Sequence, residues 1–439
     1  MTEPAAPATP ATAPASEEAP YYRWYVLGML TVVSMFSVAD RLVFGILVED
    51  IKAEFSLSDF ELGLLGGLAF SIVYVIAGFP AARLADRSTR KNIVSAAIAF
   101  WSFMTALCGL ATGFWTLFLA RVGVGVGEGC SGPASQSLVA DYFPRGELAK
   151  AMGFLTIGAA MGTAGGLVVG GQLAEFFGWR WAFVLMGLPG VLIGLILYFT
   201  VREPRRGRYA PEGSVLEQQP LGETVRALLA NKVFFGLSIG WAIQILIGYG
   251  LAFWMAAVML RNFGIPVGDV GLYLGAAFFI GGIPGPILGG YVAQWLTNRD
   301  ERWRAWLPGL VSLLCLIPLA ISLMSKDIVV FLGFFAFAYA IYVASQAPIL
   351  SGIQAAVEPS QRGFAVAIAL FFNNLVGQAL GLAVIGAVSD WLTPEYGSVS
   401  LSIAVFGVCL VSGVAAMAVF AWTAAQMRSS GYLARMGQE

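Results

Sequence analysis

Apolar runs long enough to cross a bilayer recur from one end of the chain to the other, and no other feature limits its fold as much. A membrane helix needs about 20 predominantly apolar residues to cross a hydrocarbon layer ~30 Å thick. Twelve such spans can be drawn in the 439 residues, at 23–49, 60–83, 91–111, 114–142, 146–177, 182–201, 232–262, 268–297, 304–324, 327–356, 361–391 and 398–427. Only 12% of the residues are charged, against about 25% in a soluble domain, and the mean hydropathy is +0.78. The short alternating strands of a membrane barrel are absent. The expected fold class is an all-α integral membrane protein.

One long polar interruption, REPRRGRYAPEGSVLEQQPLGETVRALLANK, separates the sixth span from the seventh. The expected organisation follows: a disordered tail at 1–20, a six-helix bundle at 21–201, a central loop at 202–231, a second six-helix bundle at 232–427 and a tail at 428–439. The first tail is Pro/Ala-rich and acidic, and it lacks the basic start of a cleavable signal. Orientation comes from Lys and Arg, which accumulate in cytoplasmic loops. With both termini cytoplasmic, nineteen of the 25 fall in inner segments and four outside, the other two lying within spans. The expectation is a bacterial inner-membrane protein with both ends in the cytoplasm. The halves also echo each other, placing Arg145-Gly146 and Arg362-Gly363 just before a span. Duplicated helical halves with binding between them are a transporter architecture.

The net charge of −1 averages two compartments and points to no nucleic-acid partner. There is no His, so proton chemistry would fall on carboxylates. The four cysteines lie in apolar segments without CxxC spacing, so neither a disulfide framework nor a metal site is expected.

Four charged residues lie deep within spans, away from their ends. Asp40 and Arg41 are adjacent in SVADRLVFGIL, and Arg121 and Glu128 occur in LARVGVGVGEGCSGP. GVGVGEG is no nucleotide loop, since it has neither GxGxxG nor a GK[ST] ending and follows no strand. Its glycines at i, i+4 suit close helix approach. Arg121 and Glu128, seven residues apart, share one helix face about 10 Å apart along the axis. Asp40 and Arg41 point ~100° apart and pair poorly with each other. Asp40 comes some 24 Å up the first helix and Arg121 roughly 10 Å below the outer surface, by the ~1.5 Å rise per residue. Asp40 with Arg121 is therefore the first pair to draw, leaving Arg41 and Glu128 for a cavity. Intramembrane charges are costly and mark pathways by default, and a carboxylate there can change protonation state as the cavity opens and closes. A static network joining the first and fourth helices is the plainer alternative. In the second half the polar candidates are Gln244, Tyr249, Tyr342, Gln346, Asn373, Asn374 and Gln378.

The loop ARLADRSTRKNIV resembles the inner-loop signature of the major facilitator superfamily, with Asp86, Arg87, Arg90 and Lys91 at its charged positions and Ala82 and Thr89 where the family usually has Gly. That resemblance implies a cytoplasmic latch: Asp86 at a facing helix N-terminus, and Arg90 paired with Asp141 at the end of the fourth span. GAAMGTAGGLVVGG in the fifth span is similar to the glycine-rich motif of superfamily antiporters, without its central Gly-Pro. The Asp-Arg pair, the LADR-x-x-RK loop and the Arg…GxGE segment together resemble the spinster branch. This resemblance implies a major facilitator fold with twelve helices in two bundles. It also implies a proton-coupled exporter of amphipathic lipids, lysophospholipid or sphingosine-phosphate-like, working by alternating access. Asp40 and Glu128 would be its protonation pair, and Arg41 and Arg121 would manage them or the lipid headgroup. The coupling ion would be the proton, with no other cofactor, and the protein a monomer in the bilayer. A multidrug/proton antiporter for hydrophobic small molecules is the alternative. A membrane enzyme fits poorly, because no Ser or Cys nucleophile setting is recognisable.

Overall fold

The computed structural model describes residues 20–209, 221–358 and 361–429. The expected tails fall almost wholly outside these residues, as does the middle of the central loop. Every element of the described residues is helical. The first half comprises α1 (Pro20–Ile46), a short α2 (Val48–Phe55), α3 (59–87), α4 (Arg90–Cys108), α5 (Phe114–Tyr142), α6 (145–177) and α7 (179–200). A short helix α8 (Leu221–Ala230) in the connecting segment leads into the second half. That half contains α9 (Lys232–Phe263), α10 (Val267–Thr297), α11 (Trp303–Met324), α12 (Ile328–Ala355), α13 (362–396) and α14 (Ser400–Ser429). Leaving out α2 and α8, twelve helices cross the membrane in two bundles of six. One face of the molecule, called here the termini face, holds the start of α1 and the end of α14; the opposite one is the far face.

Local chemistry sets the boundaries. The helical run Arg145–Thr200 is split into α6 and α7 at Gly178, whose φ of 81° and ψ of 162° suit glycine alone. Asn231 caps α9 by accepting from the backbone N–H groups of Val233 and Phe234, and Asp327 caps α12 in the same way at Val329 and Val330. Ser58 and Glu61 form a reciprocal capping box at the start of α3. Arg145 and Arg362 each open a helix, α6 and α13.

Glycine stripes bring the helices together. Along α6, Gly158, Gly162 and Gly166 lie against the backbone of α1 at Thr31, Met35 and Ala39, and Gly170 lies against Val43. A side chain at the first three would collide with main chain, so the glycine-rich fifth span is a packing surface. On its neighbouring face, Gly171 meets Gly271 of α10.

The two bundles share a core on one side only. Toward the far face, Val43, Phe44, Leu65 and Phe183 of the first half form a continuous apolar cluster with Phe253, Trp254 and Ile385 of the second. Toward the termini the cores separate, one holding only first-half residues such as Trp101 and Leu138, the other only second-half residues such as Phe234 and Phe420. The molecule is therefore zipped at its far face.

Candidate functional site

The intramembrane charges of the first bundle lie where α1, α3 and α5 come together. From α1, Arg41 Nε donates to Glu128 Oε2 of α5 at 2.8 Å, and the terminal guanidinium nitrogen lies 2.6 Å from the same oxygen. Ser37, one turn before Arg41, donates to that oxygen at 2.7 Å. Glu128 is 1% exposed and its Oε1 has no hydrogen-bond partner among the described residues. The Arg41 guanidinium lies 4.7 Å from the Phe70 ring centroid and 5.0 Å from that of Tyr74, both on α3. Tyr249, on α9 of the other half, lies near Arg41.

Asp40 and Arg121 occupy a drier layer behind this pair. Asp40 is fully buried; its Oδ2 accepts from Thr105 of α4 at 3.2 Å, and Oδ1 has no hydrogen-bond partner among the described residues. Arg121, 1% exposed, stacks 4.8 Å from Phe44 and 5.4 Å from Phe70, with Nε 3.5 Å from the Leu65 carbonyl. Phe70 is thus flanked by two guanidinium groups.

The pair expected between Asp40 and Arg121 is not the one formed: among the described residues the intramembrane ion pair joins Arg41 to Glu128. Backbone heights suggested otherwise because they ignore side-chain length and direction. A long side chain on a helix points back toward the N-terminus, which carries the Arg41 guanidinium down to the level of Ser37 and Glu128. Asp40, ~100° around the helix, turns to α4 instead.

The second-half candidates divide. Tyr249 is half-buried beside Gly377 of α13, toward the first bundle. Gln244 is fully buried and donates to Ser345 at 3.0 Å and to the Pro308 carbonyl at 3.2 Å, inside the second bundle. Tyr342 packs there against Gly248, and Gln346 accepts from Trp241 at 2.9 Å. Asn373, Asn374 and Gln378 are buried in a π-helical stretch of α13, where Asn374 donates to Leu370 O at 2.8 Å.

At the termini face, Arg90 bonds Asp141 at 2.5 Å, Glu203 at 2.7 Å and Ser137 Oγ at 2.9 Å. Lys91 donates its backbone N–H to Glu203 and its ammonium to the Tyr198 carbonyl. Arg206 donates to the carbonyls of Ala85 and Ser88. These partners all belong to the first half or the segment just after it. Arg87 is exposed, and the Asp86 side chain lies outside what the structure describes. Glu203 and Arg206 were not singled out from the sequence, where they look like part of a polar linker.

The sequence reading also missed a network at the far face that joins the halves. Arg261 at the end of α9 grips Asp59 of α3 with both terminal nitrogens, at 2.7 and 2.6 Å, and Glu49 of α2 at 2.6 Å. Asp59 is fully buried and also accepts from Lys52 and Ser389. Asp390 of α13 caps the start of α3, accepting from Asp59 N at 2.9 Å and Phe60 N at 2.8 Å. Gln172 of α6 donates to the Gly268 carbonyl of α10. These hydrogen bonds and ion pairs join the halves at this end. The signal available beforehand was an acidic VEDIKAEF segment together with Lys52 and Arg261, two of only four far-face cations.

The model for the Major Facilitator Superfamily matches residues 29–382. This chain belongs to the Major Facilitator Superfamily. Over 387 residues the transporter is 33% identical to an "MFS-type efflux pump" of Mycolicibacterium smegmatis, covering 88% of this chain and 89% of that one. It is 25% identical over 390 residues to human "Protein spinster homolog 1", covering 84% and 73%. Its fold superposes with a TM-score of 0.81 and 29% identity on a bacterial homolog of the human lysosomal transporter spinster, in an inward-facing and unoccupied conformation, covering 93% and 96%. The transporter falls in the spinster branch of the superfamily.

Proposed function

We propose that this spinster-branch transporter moves an amphipathic lipid, lysophospholipid or sphingosine-phosphate-like, in exchange with or alongside protons, with Glu128 and Asp40 as the proton-carrying groups. The observation that carries the reading is the Arg41–Glu128 pair, whose carboxylate is buried with one oxygen unpaired while the guanidinium stays partly exposed. A proton on Glu128 abolishes the charge that holds Arg41. The freed guanidinium can then take a phosphate in bidentate fashion, the geometry it shares with carboxylate. Proton and headgroup thus compete through one arginine. The apolar and aromatic surroundings, Phe70, Tyr74 and Tyr249, suit a hydrocarbon tail. The termini face is assigned to the cytoplasm of a bacterial inner membrane from its excess of Lys and Arg. The far face is then external, and the arrangement closed at that face corresponds in this reading to an inward-facing state. Asp86, Arg87, Arg90, Lys91 and Asp141 form the cytoplasmic gate in this reading.

A second reading, efflux of hydrophobic small molecules in exchange for protons, is favoured by the name of the mycobacterial relative. Proteoliposomes under an imposed pH gradient separate the two. Lysolipid translocation should follow the gradient and fall by about tenfold or more in Glu128→Gln, the size of an ordinary coupling free energy, while the variant stays folded. Gradient-driven dye movement that lysolipids do not inhibit would favour the second reading. Unchanged pH dependence in Glu128→Gln removes the proton role.

A further inference from the structure

A groove of about 700 Å³ lies on the lipid-facing side of the second bundle, between α10 and α12. It runs from Tyr273 to Leu288 on one helix and from Val329 to Ala344 on the other, about 22 Å at ~1.5 Å per residue. Large side chains wall it, Ile280, Leu288 and Phe337 among them, and all three are exposed. The floor is small, because Gly281 and Gly285 of α10 lie against the main-chain carbonyls of Ala336 and Ala340 of α12 and draw the two backbones together. Tyr273 supplies the lining's only polar side chain.

Gly333 keeps the groove open. It sits inside α12, where glycine costs ~1 kcal/mol of helix stability relative to alanine. Unlike Gly281 and Gly285, it faces no protein atom that would forbid a side chain, since a Cβ built there meets nothing within 4 Å. What its missing side chain leaves is groove.

We infer that this groove binds one acyl chain of an anionic bilayer phospholipid whose headgroup lies at the far face. A polypeptide is excluded by the lining, which offers no partners for a backbone in hydrocarbon. A helix would lie over the groove rather than fill it: 700 Å³ over 22 Å leaves a section of ~30 Å², against ~80 Å² for a helix 10 Å wide. A single hydrocarbon chain fits. The groove is longer than one leaflet, ~15 Å or half of the ~30 Å layer, so the chain is held straighter than in free lipid. At its far end the exposed Lys326 precedes the lining residue Val329 by three positions and supplies the charge for a phosphate.

The test is photo-crosslinking of the full chain in vesicles of phosphatidylcholine and phosphatidylglycerol, one lipid at a time carrying a diazirine on its acyl chain. Adducts should concentrate on 273–288 and 329–344 and fall about tenfold in Gly333→Phe. They should be unchanged in Gly407→Phe, a control on α14 whose Cβ also meets nothing within 4 Å, and in Glu128→Gln, which separates this site from the transport cavity. Lys326→Glu should lower the phosphatidylglycerol yield several-fold and spare the phosphatidylcholine yield. Adducts spread evenly over the lipid-facing helices, or yields indifferent to Gly333→Phe, overturn the proposal. So does a dimer that Gly333→Phe dissociates, which would make a second copy the occupant. Equal loss of both lipids in Lys326→Glu overturns the anionic assignment.

Discussion

Phe70 shows how one neutral residue can organise charge. Its ring is shared by the guanidinium of Arg41, which holds Glu128, and that of Arg121, which does not. Each such contact is worth ~0.5–2 kcal/mol when desolvated. Phe70→Leu keeps the bulk and removes the ring's negative face. It should lower the melting temperature by a few degrees and weaken pH-driven transport several-fold, as read by a thermal melt and a proteoliposome assay on one preparation. The four ionisable groups were legible in the sequence because charge in an apolar run is rare and expensive. Their pairing was not. It depends on side-chain reach, which let Arg41 find Glu128 a turn below it, and on two aromatic rings, which a sequence does not distinguish from ordinary packing.

At the scale of elements, the long spans were readable to within a few residues from length and apolarity alone. Short pieces were not. Helix α2 has 8 residues, four of them charged, and its neighbours hold it, through Glu54 bonded to Arg180 and to the Trp179 indole and through Glu49 and Lys52 bonded to Arg261 and Asp59. The bonds from Arg180 first and then Trp179 hold the Glu54 carboxyl below the usual carboxylate range. A lowered value means stability that is present above the ordinary value and is lost as pH falls through the folded one. Glu54→Gln should therefore lower the melting temperature at pH 7, by no more than about 2 °C for so exposed a pair. The difference should close once the medium is more acidic than the lowered value. A gap that persists in acid would mean that Glu54 acts through packing. Between the halves, Gly271 of α10 lies against the Leu167 carbonyl of α6 with no room for a side chain. Gly271→Leu should force these helices apart and lengthen distances across the far face in spin-label measurements, with little change at the termini face.

At the scale of the whole molecule, the halves are joined by a lock at one end. Removing one partner of a buried ion pair costs roughly 3–5 kcal/mol, and inverting a 1:99 balance takes ~5.5 kcal/mol. Arg261→Met would leave Asp59 buried with only Lys52 and hydroxyl support, so most of the preference for the far-face-closed arrangement should vanish. Spin labels on either side of the lock should report a new long-distance population, and Asp59→Asn in that background should recover part of the short one. The architecture as a whole was visible in the chain, since span count, loop charge and duplication all pointed one way. The lock was not, because its members are scattered over four helices and look like ordinary loop charges.

The shared apolar cluster behind that lock has a thermal consequence. Parting the far face would hydrate rings such as Phe44, Phe253 and Trp254, and exposing apolar surface to water raises heat capacity. A van't Hoff plot of the equilibrium between the two arrangements should therefore curve, whereas a junction made of charges alone would give a nearly straight line.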